Sequence, residues 1–203
     1  YQCDWSSDVC SSDLKSGGEL ILVVEMSRET AVASILDGEG AGALSLEARK
    51  AQAIVARSYL AAVRGRHEGF DFCDTTHCQA LHGAPIAASS VARAVRDTRE
   101  QVLVYKGSIV PAMYTANCGG RTKTPLDAGW MIGGYPYFPI ACPRKGETAG
   151  HGIGLCQLGA NDMAQHGATY TQILSRFFPQ TTLESVAQHQ PMFISDMGAH
   201  ATR

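Results

Sequence analysis

Between Ser45 and Val63 the chain has little choice but to form a helix packed on several sides. Alanine fills positions 48, 51, 53, 56, 61 and 62, beside Leu46, Ile54, Val55 and Tyr59. Alanine loses no side-chain entropy in a helix, and a helix so thinly clothed lets neighbours approach closely. Ser45 is of the residue type that caps helix N-termini. This stretch is therefore read as the central helix of a domain. Among its polar side chains, Glu47, Gln52, Arg57 and Ser58 each need a reason to be there.

The other elements arrange themselves around it. Residues 19–24 are apolar and β-branched, an opening strand. Ser27 caps a helix over 28–36, with Val32, Ile35 and Leu36 on one face and Gly38 as its stop. Residues 90–99 read as a third helix, with Arg93, Arg96 and Arg99 on a solvated face. Residues 101–105 and 108–114 are strand-like and joined at Lys106-Gly107, the signature of a hairpin. A further helix is expected over 155–166, with Gly167 just past its end. Thr169 and Gln172 form a capping box for a last helix, closed by Pro179. Helices and strands mix without a βαβ rhythm. The predicted fold class is α+β: a single mixed domain, residues 15–186, with the alanine-rich helix packed on short antiparallel strands.

Both ends are set apart from that domain. Residues 1–14 show no apolar periodicity, repeat Ser-Ser-Asp, and look like a translated sequencing adapter, so they are read as a non-native or disordered segment. On that reading the natural start, with any export signal, lies upstream. Residues 187–203 lack periodicity and are expected to be a loose tail. The longest apolar run, residues 20–24, is too short to cross a bilayer. The formal net charge of −2 leaves no electrostatic footprint for nucleic acid.

Setting Cys3 and Cys10 aside leaves Cys73, Cys78, Cys118, Cys142 and Cys156. An odd number argues against a framework made of disulfides alone. Cys73, His77 and Cys78 lie within six residues, with His67 six residues before Cys73. Two cysteines with one or two histidines suit a tetrahedral soft-ligand metal, zinc above all; a Cys73–Cys78 disulfide is the rival. His77 and Cys78 are adjacent and can share an ion only across a bent backbone, which favours His67 as the further ligand. For the remaining three, a Cys118–Cys142 bridge is preferred to Cys118–Cys156, because Cys156 opens a helix and suits inward packing.

Four stretches carry chemistry: residues 47–59 (EARKAQAIVARSY), 70–79 (FDFCDTTHCQ), 114–122 (YTANCGGRT) and 151–160 (HGIGLCQLGA). The glycine-rich fourth stretch alone is weak, since no dinucleotide-binding unit surrounds it. In this order and spacing the four resemble the SpoIID/LytB family, which holds a peptidoglycan lytic transglycosylase and an enhancer of a cell-wall amidase. The resemblance puts Glu47 on the family's catalytic glutamate, and Cys73 and Cys78 on its zinc cysteines. It departs in the short stretch between Cys118 and His151, where the family carries a longer insertion, and in Cys156, where many relatives carry serine.

The resemblance implies cleavage of MurNAc–GlcNAc strands to 1,6-anhydro products in the cell envelope, with peptidoglycan as substrate and a cell-wall amidase as a further partner. One carboxyl group can serve there twice, as acid and then as base. It must hold its proton at rest, which takes an apolar setting. Glu39 is a second candidate carboxylate. Arg57, Ser58, Tyr114, Asn117, Gly120, His151 and Gln157 are candidate substrate-binding residues, and His67, Cys73, His77 and Cys78 the candidate ligands of a structural zinc. Competing readings are a non-catalytic amidase enhancer, a cysteine hydrolase using Cys156 or Cys118 with His151 as base, and a structural zinc module.

Overall fold

The computed structural model describes residues 2–3, 9–16, 19–40, 43–83 and 87–189, with side chains from residue 22 onward. Five helices occur among them: α1 (Arg28–Gly38), α2 (Leu46–Ala62), α3 (Ser90–Asp97), α4 (Gln157–Gln165) and α5 (Tyr170–Phe177). The strands are β1 (Gln2–Cys3), β2 (Val9–Ser16), β3 (Glu19–Met26), β4 (Gln101–Tyr105), β5 (Ser108–Ile109), β6 (Tyr114–Thr115), β7 (Leu155–Cys156) and β8 (Thr182–Ser185). The fold is mixed α+β, as read.

The alanine-rich helix is the centre. α2 packs on α1, α3, α4, α5 and β4, and ten consecutive or near-consecutive residues from Ala48 to Tyr59 are buried, with Arg49 and Lys50 excepted. Ser45 does not cap it through its own hydroxyl. Instead Asn161 of α4 accepts both the Ser45 N–H and its hydroxyl, each at 2.8 Å, and so fixes the start of α2 to α4. Ser27, Ser89 and Thr169 do cap their helices, and the Thr169–Gln172 capping box is present in full. The main core runs through Ile35, Leu36, Ile54, Val55, Leu103, Ile173 and Phe178 and takes in Tyr135 and Tyr137 from the long loop between β6 and β7.

The described strands form three small sheets: β1–β2–β3 and β5–β4–β8, both antiparallel, and the parallel pair β6–β7. Two expected elements divide. The strand read over 108–114 breaks, because Pro111 has no N–H to offer a ladder; β5 pairs with β4, and β6 leaves to join β7. The helix expected from Leu155 starts at Gln157. Leu155 and Cys156 are extended, and Cys156 is the N-cap. Within the segment set apart at the start, Val9–Ser16 pairs with Glu19–Met26 in unbroken register. Of the expected tail, residues 187–189 belong to a 3-10 turn, Val186–His189, where His189 meets Glu184 at 2.8 Å; the remainder lies outside the described residues.

Candidate active site and metal centre

A cleft of about 940 Å³ opens where the ends of α1 and α2 meet β6 and the loops that carry Cys78, Trp130 and His151. Its carboxylate is Glu39, the C-cap of α1. A helix C-terminus carries partial negative charge, so an acidic residue there is locally unfavourable and calls for a separate reason. Glu39 Oε1 accepts the backbone N–H of Ala80 at 2.8 Å. The loop reaches it because Gly38 has no Cβ: one built there would lie 2.5 Å from the Ala80 carbonyl oxygen. The same loop docks through His82 N–H to the Ser34 carbonyl at 3.2 Å. Gln157, the first residue of α4, donates to the Glu39 carbonyl at 3.4 Å.

Polar groups gather around this carboxylate. The Tyr114 hydroxyl donates to Gln79 Oε1 at 3.2 Å. Burial, then the charge of Glu39, push its ionisation well above the usual phenol range, so it remains a donor. Gln79 is 5% exposed, and its Nε2 has no partner among the described residues. Opposite, the His151 ring lies against Trp130, with centroids 4.8 Å apart. Its Nδ1 accepts from Ile153 N–H at 3.0 Å. Burial pushes the imidazole below its ordinary value of 6.5, which keeps it neutral. Tyr59, at the far end of α2, receives a hydrogen bond from Arg66, which also donates to the His77 carbonyl at 3.3 Å.

The metal-type cluster forms one edge of the cleft. One donor atom from each of His67, Cys73, His77 and Cys78 lies within 4.8 Å of all the others. His67 Nε2 is 3.2 Å from Cys78 Sγ, and His77 Nδ1 is 3.7 Å from both sulfurs. A tetrahedral zinc ion would set nitrogen and sulfur roughly 3.6 Å apart, from bonds of about 2.0 and 2.3 Å. The donor set and its spacing therefore fit zinc. Both histidines are within reach, because the turn at Thr75–Cys78 bends the backbone between His77 and Cys78. Cys73 is held down to about 5, first by the Thr75 hydroxyl, with the Thr75 backbone and His77 adding to it. Burial pushes Cys78 up. Both are free thiols, so the rival disulfide is not formed.

Five of the expected site residues stand elsewhere. Glu47 does not line the cleft: its Oε2 accepts the Tyr170 N–H at 2.8 Å and its Oε1 pairs with Lys50 at 3.0 Å, so it caps α5 while sitting in the first turn of α2. Arg57 is fully buried and grips Glu29 of α1 through two bonds of 2.8 Å, with a third to the Gln101 carbonyl at 3.2 Å. Ser58 donates to the Ile54 carbonyl and accepts from Leu103 N–H, at 2.6 and 2.9 Å. Asn117 holds a turn, between Gly119 N–H at 3.1 Å and the Glu147 carbonyl at 2.8 Å. Gly120 accepts from Cys142 N–H at 2.9 Å. In each case the main chain or a structural ion pair uses the group that substrate would have needed.

Tyr114, His151 and Gln157, together with His77 and Cys78, do line the cleft. Tyr59, Arg66, Gln79 and Trp130 join them without having been singled out. The signal for Glu39 was in the sequence: acidic residues on both sides of the glycine that ends α1. Nothing local marks Trp130. The cysteine-hydrolase arrangement is not built, since the Cys156 sulfur accepts backbone N–H groups of Cys118 and Gly159 while Ile153 takes His151 Nδ1. Nor is the expected Cys118–Cys142 bridge present; both are free thiols, as is Cys156.

Residues 16–105 match the family model described as stage II sporulation protein, SpoIID. An uncharacterized protein of Brachyspira hyodysenteriae is 34% identical over 108 residues, covering 52% of this chain and 29% of that protein. The amidase enhancer of Bacillus subtilis is 35% identical over 89 residues, 44% of this chain and 12% of its own length. The matches thus span less than a third of either relative. Over the stretch that carries Glu39, the alanine-rich helix and the Cys/His cluster, the chain is similar to the SpoIID family model and to the Bacillus amidase enhancer.

Proposed function

We propose that this chain is a peptidoglycan lytic transglycosylase acting through Glu39 in place of Glu47. The observation that carries the reading is the position of Glu39: a carboxylate beside Tyr114, Gln79 and Gln157 in a cleft large enough for sugar rings. In its acid form Glu39 donates its carboxyl proton to the glycosidic oxygen as the MurNAc–GlcNAc bond breaks. The resulting carboxylate then takes the proton of the muramyl 6-hydroxyl as that oxygen closes on the anomeric carbon, giving the 1,6-anhydro end. One carboxyl group suffices because no water has to be activated on the opposite face, which is what the paired carboxylates of ordinary glycosidases do. The unpartnered Gln79 Nε2 suits an acetamido carbonyl, and the Trp130–His151 wall suits the apolar face of a sugar ring.

A zinc ion held by His67, Cys73, His77 and Cys78 belongs to the same proposal. It would cross-link the loop whose Ala80 N–H orients Glu39 and would supply no chemistry to the sugar. The substrate places the protein in the cell envelope.

The test is digestion of peptide-stripped glycan strands followed by mass spectrometry of the ends. The wild-type chain is expected to release anhydro-muramyl products, and Glu39→Gln to lose about 10²–10⁴ of that rate with its circular dichroism unchanged. Equal rates in the two would overturn the assignment. The second reading, a non-catalytic partner of a cell-wall amidase, is favoured by the name of the Bacillus relative. It predicts no anhydro ends from the wild-type chain, and stimulation of an added amidase that Glu39→Gln leaves intact.

A further inference from the structure

Away from the cleft, three cysteines from three separate segments converge. Cys118 follows β6, Cys156 ends β7, and the loop carrying Cys142 is drawn in by its N–H to the Gly120 carbonyl at 2.9 Å. Their sulfurs all lie within 4.8 Å of one another, and the residues are only 3%, 7% and 0% exposed. Two further observations bear on what this cluster does. The Cys156 sulfur accepts two backbone N–H groups, from Cys118 and Gly159, each at 3.3 Å. And the first turn of α4 is bared toward the cluster: a Cβ on Gly159 would lie 2.2 Å from the Cys142 sulfur and 3.3 Å from that of Cys156.

We propose that Cys118, Cys142 and Cys156 form a second, buried metal site that binds a thiophilic d¹⁰ cation, Zn²⁺ or Cu⁺, through three sulfurs. Three thiolates around one ion at about 2.3 Å stand roughly 4 Å apart, the scale of the observed cluster. A disulfide brings two sulfurs to about 2.05 Å and leaves the third with no role. Soft sulfur donors select these ions over the oxygen-seeking cations. Backbone N–H groups aimed at a ligand sulfur are the usual outer support of metal thiolates. Binding replaces three S–H protons with three S–metal bonds and releases those protons, leaving one net negative charge with Zn²⁺ and two with Cu⁺. That charge lies at the N-terminus of α4, whose dipole favours it. The site stands independently of the transglycosylase reading.

The experiment uses the C3S/C10S variant of the full chain, reduced, freed of metal and titrated anaerobically with Cd²⁺, following thiolate-to-cadmium absorption. Two equivalents are expected. C156S, whose hydroxyl can still cap α4, should lose one, and C118A should lose the same one. The C73S/C78S change made in the C3S/C10S chain should retain the equivalent that C156S removes. Parallel titrations with Zn²⁺ and with Cu⁺ against a chelating indicator identify the ion, the natural one binding at least tenfold more tightly than in C156S. The proposal is overturned if folded C3S/C10S protein shows no equivalent sensitive to C156S. It is equally overturned if never-reduced protein, by intact mass and peptide mapping, carries a disulfide between any two of the three.

Discussion

Two glutamates show how far a single residue's role depends on the main chain beside it. Glu47 sits in the most recognisable stretch of the sequence, yet its oxygens serve the N-terminus of α5 and Lys50. Glu39 lies outside the four chemistry-bearing stretches, marked only by the acidic pair around Gly38, and the loop at Ala80 docks on it at the cleft. The helix-dipole rule already gave Glu47 a structural role in the first turn of α2. What could not be read was that residues 41 positions apart, Glu39 and Ala80, would meet, because that contact depends on the docking of a loop. Glu47→Gln is accordingly expected to keep glycan cleavage within a few-fold of wild type and to lower the denaturation midpoint slightly, since the amide keeps the cap but loses the charge. Parallel rate and melting measurements check both. His151 gives a prediction of opposite kind. Its folded value lies below 6.5, so on acidification the unfolded chain takes up the proton first, and stability falls as pH drops below about 6.5. Urea midpoints followed from pH 7.5 to 5 should fall more steeply in the wild type than in His151→Gln. Parallel curves would show that another group controls the slope.

At the scale of elements, α2 was the most legible part of the chain, because alanine content and burial on every side are one property seen twice. Its polar residues were not legible in the same way. Arg57, in the alanine-rich part of the helix away from the charged first turns, reads as a binding residue from sequence, whereas in the fold it is the clamp between α1, α2 and β4. A guanidinium with no exposed surface needs its carboxylate, and the fork geometry with Glu29 supplies it. Glu29→Ala should cost about 3 kcal/mol in urea unfolding, because it strands a buried charge, while Arg57→Met paired with Glu29→Ala should recover part of that loss. The split of the 108–114 strand and the late start of α4 have a common physical origin. Proline breaks one ladder, and the freed β6 finds its partner in Leu155–Cys156, a long-range pairing that local propensity does not encode.

For the whole molecule, the four Cys/His residues singled out by the family resemblance lie together in the fold, whereas Glu47 lies outside the cleft that Glu39 lines. The cluster is a local sequence pattern, whereas the cleft is assembled from distant ones. If zinc braces the loop beside Glu39, stripping it with a chelator should lower the melting temperature by roughly 5–10 °C relative to protein with metal a hundredfold over its dissociation constant. Calorimetry before and after readdition of zinc measures this, and an unchanged transition would remove the brace from the proposal. The parallel pairing of β6 with β7 has one more consequence. It joins Tyr114 to Leu155, while Gln157 reaches Glu39 across 118 positions. Contacts of such separation close the largest loops of the chain and form after the local helices. The cleft is therefore a late product of folding. During synthesis Glu39, Tyr59 and the Cys/His cluster emerge well before Gln157, so the catalytic groups proposed here stay apart until nearly all of the domain has been made.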